Sequence, residues 1–122
     1  TAERFRRGME QMHEIAAGAG RELRINEGDW TPAHHAFIYI DEDEGRALRT
    51  GTDYLSGRYH MDFRGIAKKY LIHGPPARCI EQLEAFTDAG AVHFILRPTG
   101  PPGSDTDQLA RLAEEIVPKV KK

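Results

Sequence analysis

The chain has 122 residues, which is enough for one domain with one hydrophobic core. Its 17 Lys and Arg and 19 Asp and Glu leave a net charge of −2, so the composition carries no signature of binding to nucleic acid or to an anionic membrane. The single cysteine, Cys79, excludes an internal disulfide and a metal site built from several thiolates.

The first predicted element is a helix over residues 2–19. Apolar residues recur there at helical spacing from Phe5 to Ala19, and Thr1 can cap the helix. The following residues, 21–33, have no clean period and are predicted to form a connection.

A short strand and an acidic run come next. The continuous apolar run Ala36–Ile40 predicts a strand over residues 34–40 that is covered on both faces. The run is far shorter than the ~20 residues that span a bilayer. Four acids at residues 41–44 are well placed to open a helix, because negative charge is favoured at a helix N-terminus. We predict a helical insertion over residues 42–73.

The last third of the chain contains three predicted elements. A helix over residues 75–89 begins at a proline pair, which is favoured at a first helical turn. A second buried strand follows over residues 92–97, and a final helix covers residues 105–117. Two apolar strands that are separated by helices indicate a parallel α/β sheet.

The start of the chain bears on where the protein is found. No charged segment followed by an apolar one opens the sequence, so no secretory signal is visible. We therefore predict a cytoplasmic protein that binds neither membrane nor nucleic acid. The first residue is Thr1 rather than Met, as expected of a processed or truncated product.

Residues 74–98 (GPPARCIEQLEAFTDAGAVHFILRP) resemble the closing βα region of the luciferase-like monooxygenases. They contain a glycine, a proline-containing helix start, an amphipathic helix that ends in Asp-Ala-Gly, and a strand that reads VHFILRP. Three further stretches are similar to parts of that family. Residues 3–8 resemble its sixth barrel helix, residues 34–41 its seventh strand, and residues 108–117 its final helix.

The resemblance implies a (β/α)8 TIM barrel, which needs ~250 residues. This chain would hold only the C-terminal portion, with about two parallel strands and four or more helices, and would be incomplete on its own. The resemblance also implies that the intact protein is a monooxygenase or oxidoreductase that uses FMN or a deazaflavin on a small-molecule substrate. We expect the chain alone to be inactive and to bind neither cofactor tightly.

The resemblance places three candidate binding residues at the C-terminal ends of the strands. Arg97 ends the eighth strand, near which barrel enzymes often bind phosphate, and its guanidinium could pair with a cofactor phosphate or an anionic substrate. The alternative is a structural ion pair with Asp105 or Asp107. Tyr39 and Asp41 could line the same pocket, or they could be a core aromatic residue and a helix cap. No acid, base or nucleophile is predicted.

The six histidines suggest a metal site, but their spacing assembles no set of three or four ligands. His34 and His35 would point to opposite faces of a strand, and His93 is predicted to be a core histidine. We predict no metal site.

A second hypothesis is a small, self-associating α/β binding or assembly module without catalysis. Two apolar strands need cover on both faces and partners at both edges, which one short chain does not supply. Because the chain leaves strand surface uncovered under both hypotheses, we predict a homodimer.

Overall fold

The computed structural model describes residues 1–24 and 30–120, so part of the predicted connection lies outside the described residues. Among the described helices, none is long and apolar enough to cross a bilayer. A 3-10 turn covers Ala67–Lys69, and the last helix continues into a π-helical turn over Leu112–Ile116 and a 3-10 turn over Val117–Lys119. The main elements are the helices α1 (Ala2–Gly18), α2 (Glu44–Tyr59), α3 (Pro76–Asp88) and α4 (Asp105–Arg111), and the strands β1 (Ala33–Ile40), β2 (Leu71–Gly74) and β3 (His93–Pro98).

The three strands form one open, parallel sheet in the order β2-β1-β3. β1 is the central strand, and its Phe37 lies opposite Leu71 of β2 and Arg97 of β3. The predicted parallel α/β fold is confirmed. The sheet has one strand more than the two expected from the sequence.

Helices cover the two faces of the sheet unequally. On one face, Ile38 and Ile40 of β1 pack against Leu83 of α3 and against Leu112 and Ile116 after α4. These five side chains are at most 5% exposed and form the main core.

The opposite face of the sheet packs against α2. Leu55 of α2 and Leu71 of β2 form a smaller cluster there with Phe63, and Phe37 of β1 packs at its side. Successive residues of a strand point to opposite faces, so β1 contributes to both clusters. We call the α2-facing side of β1 and β3 the open face, because α2 covers it only in part.

The predicted helical insertion over residues 42–73 was wrong at its end. α2 occupies the first part, but Leu71–Gly74 form the strand β2, and all four residues are buried. A four-residue strand that ends in His73 and Gly74 has little periodicity of its own. It forms because β1 offers a free edge to pair with, and because Gln82 binds its outer edge. The Gln82 side-chain amide donates to His73 O (2.8 Å) and accepts from His73 N (3.3 Å).

The prediction that the second strand, 92–97, is buried on both faces was also wrong. Exposure alternates along β3: Phe94 and Leu96 pack against the main core, whereas His93, Ile95 and Arg97 are exposed on the open face. His93 is therefore not a core histidine. The apolar side chain of Ile95 is 53% exposed because no described element covers this part of the sheet.

The final helix does not run as one α-helix over residues 105–117. α4 ends at Arg111, and the next turn widens so that the Val117 N–H donates to Leu112 O, five residues back. Pro118 has no N–H to donate, so the α-helical ladder cannot continue through it. The wider turn keeps both Leu112 and Ile116 in the core.

Candidate functional site

The carboxyl ends of β1 and β3 lie side by side. The helices that follow these two strands pack on opposite faces of the sheet, so they diverge from this point. α2, which follows β1, packs on the open face, whereas the segment after β3 packs on the opposite face. In open parallel sheets, ligands bind in the crevice that such a divergence leaves beyond the strand ends. We call the space at this point the strand-end crevice.

The strand-end crevice is open to solvent and has a volume of about 470 Å³. Its walls come from the end of β3, from α2, from the proline-rich loop after β3 and from α4. The lining residues are Tyr54, Arg97, Pro98, Gly100, Pro101, Pro102, Asp105 and Leu109.

Arg97 supplies the positive charge of the crevice. Its Nε donates to the Tyr54 hydroxyl at 3.3 Å, and no carboxylate of the described residues lies within ion-pair distance of its guanidinium. The alternative of an ion pair with Asp105 or Asp107 is not what the structure shows, although Asp105 lines the same crevice. The guanidinium thus remains available to an anion from outside the described chain.

The backbone after Arg97 is held firmly to β1. Thr99, which is fully buried, donates from its N–H to Ile38 O at 2.9 Å and from its hydroxyl to the same oxygen at 3.3 Å. This pairing continues the sheet past Pro98, so the start of the loop is as well fixed as the strand. Arg97 therefore projects from a rigid support.

Tyr39 stands on the same face of the sheet as Arg97 and supports the loop behind the crevice. Its ring packs so closely on Gly100 that a Cβ there would lie 2.8 Å from Tyr39 Cε2 and 2.3 Å from Ser104 Oγ. No side chain fits at Gly100 without displacing one of these groups. Tyr39 is half-buried and is not among the residues that line the crevice.

Asp41 binds within the chain. Its carboxylate accepts from Arg46 Nε (2.6 Å) and Nη2 (2.7 Å) and from the backbone N–H of Asp43 (2.9 Å). The Arg46 hydrogen bonds hold the pKa of the Asp41 carboxyl below its ordinary value, against an opposing effect of burial. Asp41 therefore has a structural contact, but it is not the helix cap that the sequence suggested as the alternative, because Asp43 caps α2.

The other acids of the run 41–44 are also engaged. The Asp43 side chain caps α2 by accepting from the Arg46 N–H at 2.9 Å, as the sequence predicted for this run. Glu42 pairs with Arg111, which also donates to Glu115 at 2.6 Å, and Glu44 lies 3.6 Å from Arg78. These ion pairs tie the beginning of α2 to the neighbouring helices.

Gln108 fixes α4 over the end of β1. Its side-chain amide accepts from Ile40 N and donates to Ile40 O, both at 2.9 Å, as a neighbouring strand would. Gln108 is 4% exposed, so these hydrogen bonds replace water that cannot reach Ile40.

Of the three residues predicted to form a site, the structure brings Tyr39 and Arg97 to one face and leaves Asp41 bound to Arg46. Tyr54 and Gln108 were not predicted from the sequence. Tyr54 lies 43 positions before Arg97, and no local pattern links the two. Gln108 is a polar residue in an amphipathic helix, where a solvent-facing side chain is the ordinary expectation.

The donors in the crevice fit one anionic group. A guanidinium beside a hydroxyl, between walls of proline and leucine, suits a phosphate or carboxylate. The Asp105 carboxylate limits the negative charge that can be placed on the α4 side. Among the described residues, no three His, Cys, Asp or Glu side chains come together as metal ligands.

No protein-family model matches the chain, and no curated protein matches it in sequence. Among solved structures, the chain is similar to the coenzyme F420-dependent tetrahydromethanopterin reductase from Methanopyrus kandleri, with a TM-score of 0.66 and 18% sequence identity. The match covers 99% of this chain and 43% of the reductase chain. The chain therefore spans less than half of that protein, and its open sheet matches part of a TIM-barrel-like fold, as predicted.

Proposed function

We propose that this chain is the C-terminal part of a luciferase-like oxidoreductase that uses a deazaflavin. The observation that carries the proposal is the similarity of nearly the whole chain to an F420-dependent reductase, which is itself a member of the luciferase-like family. The sequence resemblance of residues 74–98 to that family is an independent argument for it. FMN is the alternative cofactor of the same family.

In this proposal the strand-end crevice contributes one anion-binding element to a larger site. Arg97, held beside Tyr54, binds an anionic group of the cofactor or of a small-molecule substrate, and Tyr39 keeps the loop at Gly100 in place. The deazaflavin supplies the redox chemistry when it is bound. The remaining contacts to both ligands belong to the barrel strands that the 43% coverage leaves out.

Because those strands are missing, the isolated chain is proposed to be inactive and to bind neither FMN nor a deazaflavin tightly. Titration of the purified chain with each cofactor, followed by cofactor fluorescence, is expected to give dissociation constants above ~10 μM. A tighter constant for either one would show that the chain holds a complete site, which would contradict the assignment as a partial enzyme.

The role of Arg97 is tested in the full-length protein that contains this sequence. Arg97→Ala is expected to weaken deazaflavin or anionic-substrate binding by ~1.5–3 kcal/mol, the range for a hydrogen bond to a charged group, while the fold is kept. Arg64→Ala serves as the matched control, because Arg64 is exposed and paired with Asp62 away from the crevice. Equal binding by both variants, with a lower melting temperature for Arg97→Ala, would assign Arg97 a structural role only.

We also propose that the isolated chain forms a homodimer and is cytoplasmic. The free edge of β3 and the exposed apolar side chains of Val92 (44%) and Ile95 (53%) favour association of two copies along β3. In the intact barrel another strand would occupy that edge. The lone thiol of Cys79, which is fully buried, is compatible with a reducing compartment.

A further inference from the structure

A second cavity lies on the open face, beside the strand-end crevice. It has a volume of about 290 Å³, and apolar or aromatic residues from β1, α2 and the segment after α2 line it. No charged side chain is among its lining residues. We call it the aromatic pocket, and its principal walls are Phe37, Tyr59, Met61, Phe63, Ile66 and Tyr70.

Two pairs of rings in the aromatic pocket stand at steep angles to each other, and a third pair, Tyr59 and Phe63, is tilted by 40°. Tyr59 is edge-to-face with Phe37, with centroids 6.2 Å apart, and Phe63 is edge-to-face with Tyr70 at 6.0 Å. Phe63 is 7% exposed, whereas Tyr59 and Tyr70 are about half exposed. A buried ring at the base and half-exposed phenols at the rim leave an open pocket with aromatic walls. Such a pocket suits an apolar ligand of one or two aromatic rings, which can make edge-to-face contacts with these walls.

The backbone at the rim has an unusual conformation. His60 has a φ of +53° at the C-terminus of α2, a position that usually falls to glycine. The two residues on either side of it, Tyr59 and Met61, both line the aromatic pocket. The left-handed turn therefore lets the side chains of Tyr59 and Met61 both line the mouth of the aromatic pocket. The surrounding structure keeps a non-glycine residue, His60, in that conformation.

Residues that line the aromatic pocket and residues that line the crevice are neighbours on the open face, although no residue lines both. Phe37 of the pocket lies directly opposite Arg97 in the β1–β3 register, so the two residues are neighbours on the open face. Tyr54, whose hydroxyl accepts from Arg97, lies with its ring centroid 6.5 Å from that of Phe37. The uncharged aromatic pocket thus lies next to the guanidinium of Arg97, which has no carboxylate partner among the described residues.

We propose that the aromatic pocket and Arg97 together bind a small planar aromatic acid. The ring system lies in the pocket among Phe37, Tyr59 and Phe63, and the carboxylate or similar anionic group pairs with the Arg97 guanidinium. Charge complementarity favours this occupant over a neutral aromatic compound, because no charged side chain lines the pocket and Arg97 supplies an adjacent positive charge. The inference rests on the proposed role of Arg97 as a ligand-binding residue and names the class of substrate.

The test compares 2-naphthoate with its neutral analogue 2-naphthylmethanol, each titrated into the chain and followed by NMR chemical shifts. We expect 2-naphthoate to bind more tightly than the alcohol. Arg97→Gln is expected to weaken naphthoate binding about tenfold or more, as loss of a charge-assisted hydrogen bond requires, and to leave the alcohol unchanged. Arg7→Gln, on the exposed side of α1, is the matched control and should change neither ligand.

Two variants at the rim test the pocket itself. Tyr59→Ala should weaken both ligands, and Met61→Glu should weaken naphthoate more than the alcohol because it adds a negative charge. Met61 is 53% exposed, so the second variant does not depend on core packing. Equal affinity for the acid and the alcohol, no effect of Arg97→Gln, or no binding at ~1 mM ligand would each overturn the proposal. None of these outcomes involves a deazaflavin, so the proposed oxidoreductase function is tested separately.

Discussion

Individual polar side chains hold the ends of β1 and β2. They form hydrogen bonds to backbone groups of the strand or an ion pair with a neighbouring side chain. Gln108 pairs with both backbone groups of Ile40, and Gln82 does the same for His73. Asp41 binds Arg46 at the start of α2. Each contact satisfies groups that would otherwise be buried without a partner, so each is expected to matter for stability.

The Asp41–Arg46 pair gives a pH-dependent prediction. Arg46 lowers the pKa of Asp41 below its ordinary value of 3.8, so the pair stabilises the fold fully above that value and its contribution is lost as the pH falls through the lowered pKa. Asp41→Asn is expected to reduce the free energy of unfolding by about 1–2 kcal/mol near pH 7. The deficit should shrink in acid. Urea unfolding across this pH range measures it.

The control for this prediction is Asp53→Asn, on the exposed side of α2. It should leave stability unchanged within about 0.5 kcal/mol at all pH values. A deficit for Asp41→Asn that persists undiminished in acid would mean that the contact acts through packing rather than through the charge.

Gln108→Met removes the amide that binds Ile40 and keeps a side chain of similar length. The Ile40 N–H and C=O would then be buried without partners, at a cost of about 2–4 kcal/mol in unfolding free energy. Gln11→Met, on the exposed side of α1, is the matched control and should be nearly neutral. Chemical denaturation of both variants tests the prediction, and equal stability would show that water reaches Ile40.

The packing of α2 against β2 depends on a glycine in the helix. A Cβ at Gly51 would lie 2.2 Å from Leu71 Cδ2 and 2.9 Å from Cδ1, and Leu71 is 3% exposed. The close approach lets the helix rest directly on β2. The short strand is thereby covered on both faces, although it has only four residues.

Two substitutions in α2 should therefore change stability in opposite directions. Gly51→Ala improves helix propensity but overpacks Leu71, and we expect a net loss of about 1–2 kcal/mol. Gly57→Ala has the same chemistry with nothing within 4 Å of the new methyl group, and we expect a gain of about 0.5–1 kcal/mol. Thermal unfolding of both variants measures the difference. Stabilisation by both would show that Leu71 moves aside without cost.

At the scale of the whole molecule, only one of the two edges of the sheet has a side chain bound to its backbone groups. β2 has its outer edge bound by Gln82, whereas β3 is the other edge strand and carries exposed Ile95 on the open face. An exposed edge with apolar side chains favours pairing with another strand. The similarity to 43% of a larger chain gives the same indication, because the missing part of that fold would supply such strands.

We predict that the isolated chain is not monomeric at ~50 μM, a concentration at which a dimer held by about 7 kcal/mol or more persists. Light scattering behind a sizing column should give a mass above 13.7 kDa. Ile95→Asn should restore the monomer. Ile15→Asn changes an equally apolar residue that is 73% exposed on α1, away from β3, and should leave the mass unchanged. A 13.7 kDa species for the unchanged chain would contradict the prediction.

The sequence alone determined the elements whose pattern is local. Thr1 caps α1, the acidic run 41–44 opens α2, and the helix begun by the proline pair runs over Pro76–Asp88, as the residue types predict. The order of helices and strands was enough to predict a parallel α/β fold, and the resemblance of residues 74–98 to a known family implied part of a barrel. Periodicity and capping act within a few residues, so they can be read without knowing the rest of the structure.

Only the tertiary structure decided which surfaces of those elements are used. β2 exists because β1 and Gln82 bind its two edges, and Ile95 is exposed because no described element lies over it. Arg97 meets Tyr54 across 43 positions, while Asp41 is bound by Arg46 only five residues away. Strand pairing and side-chain contacts of this kind join distant parts of the chain, and their free energy depends on packing that no local pattern specifies.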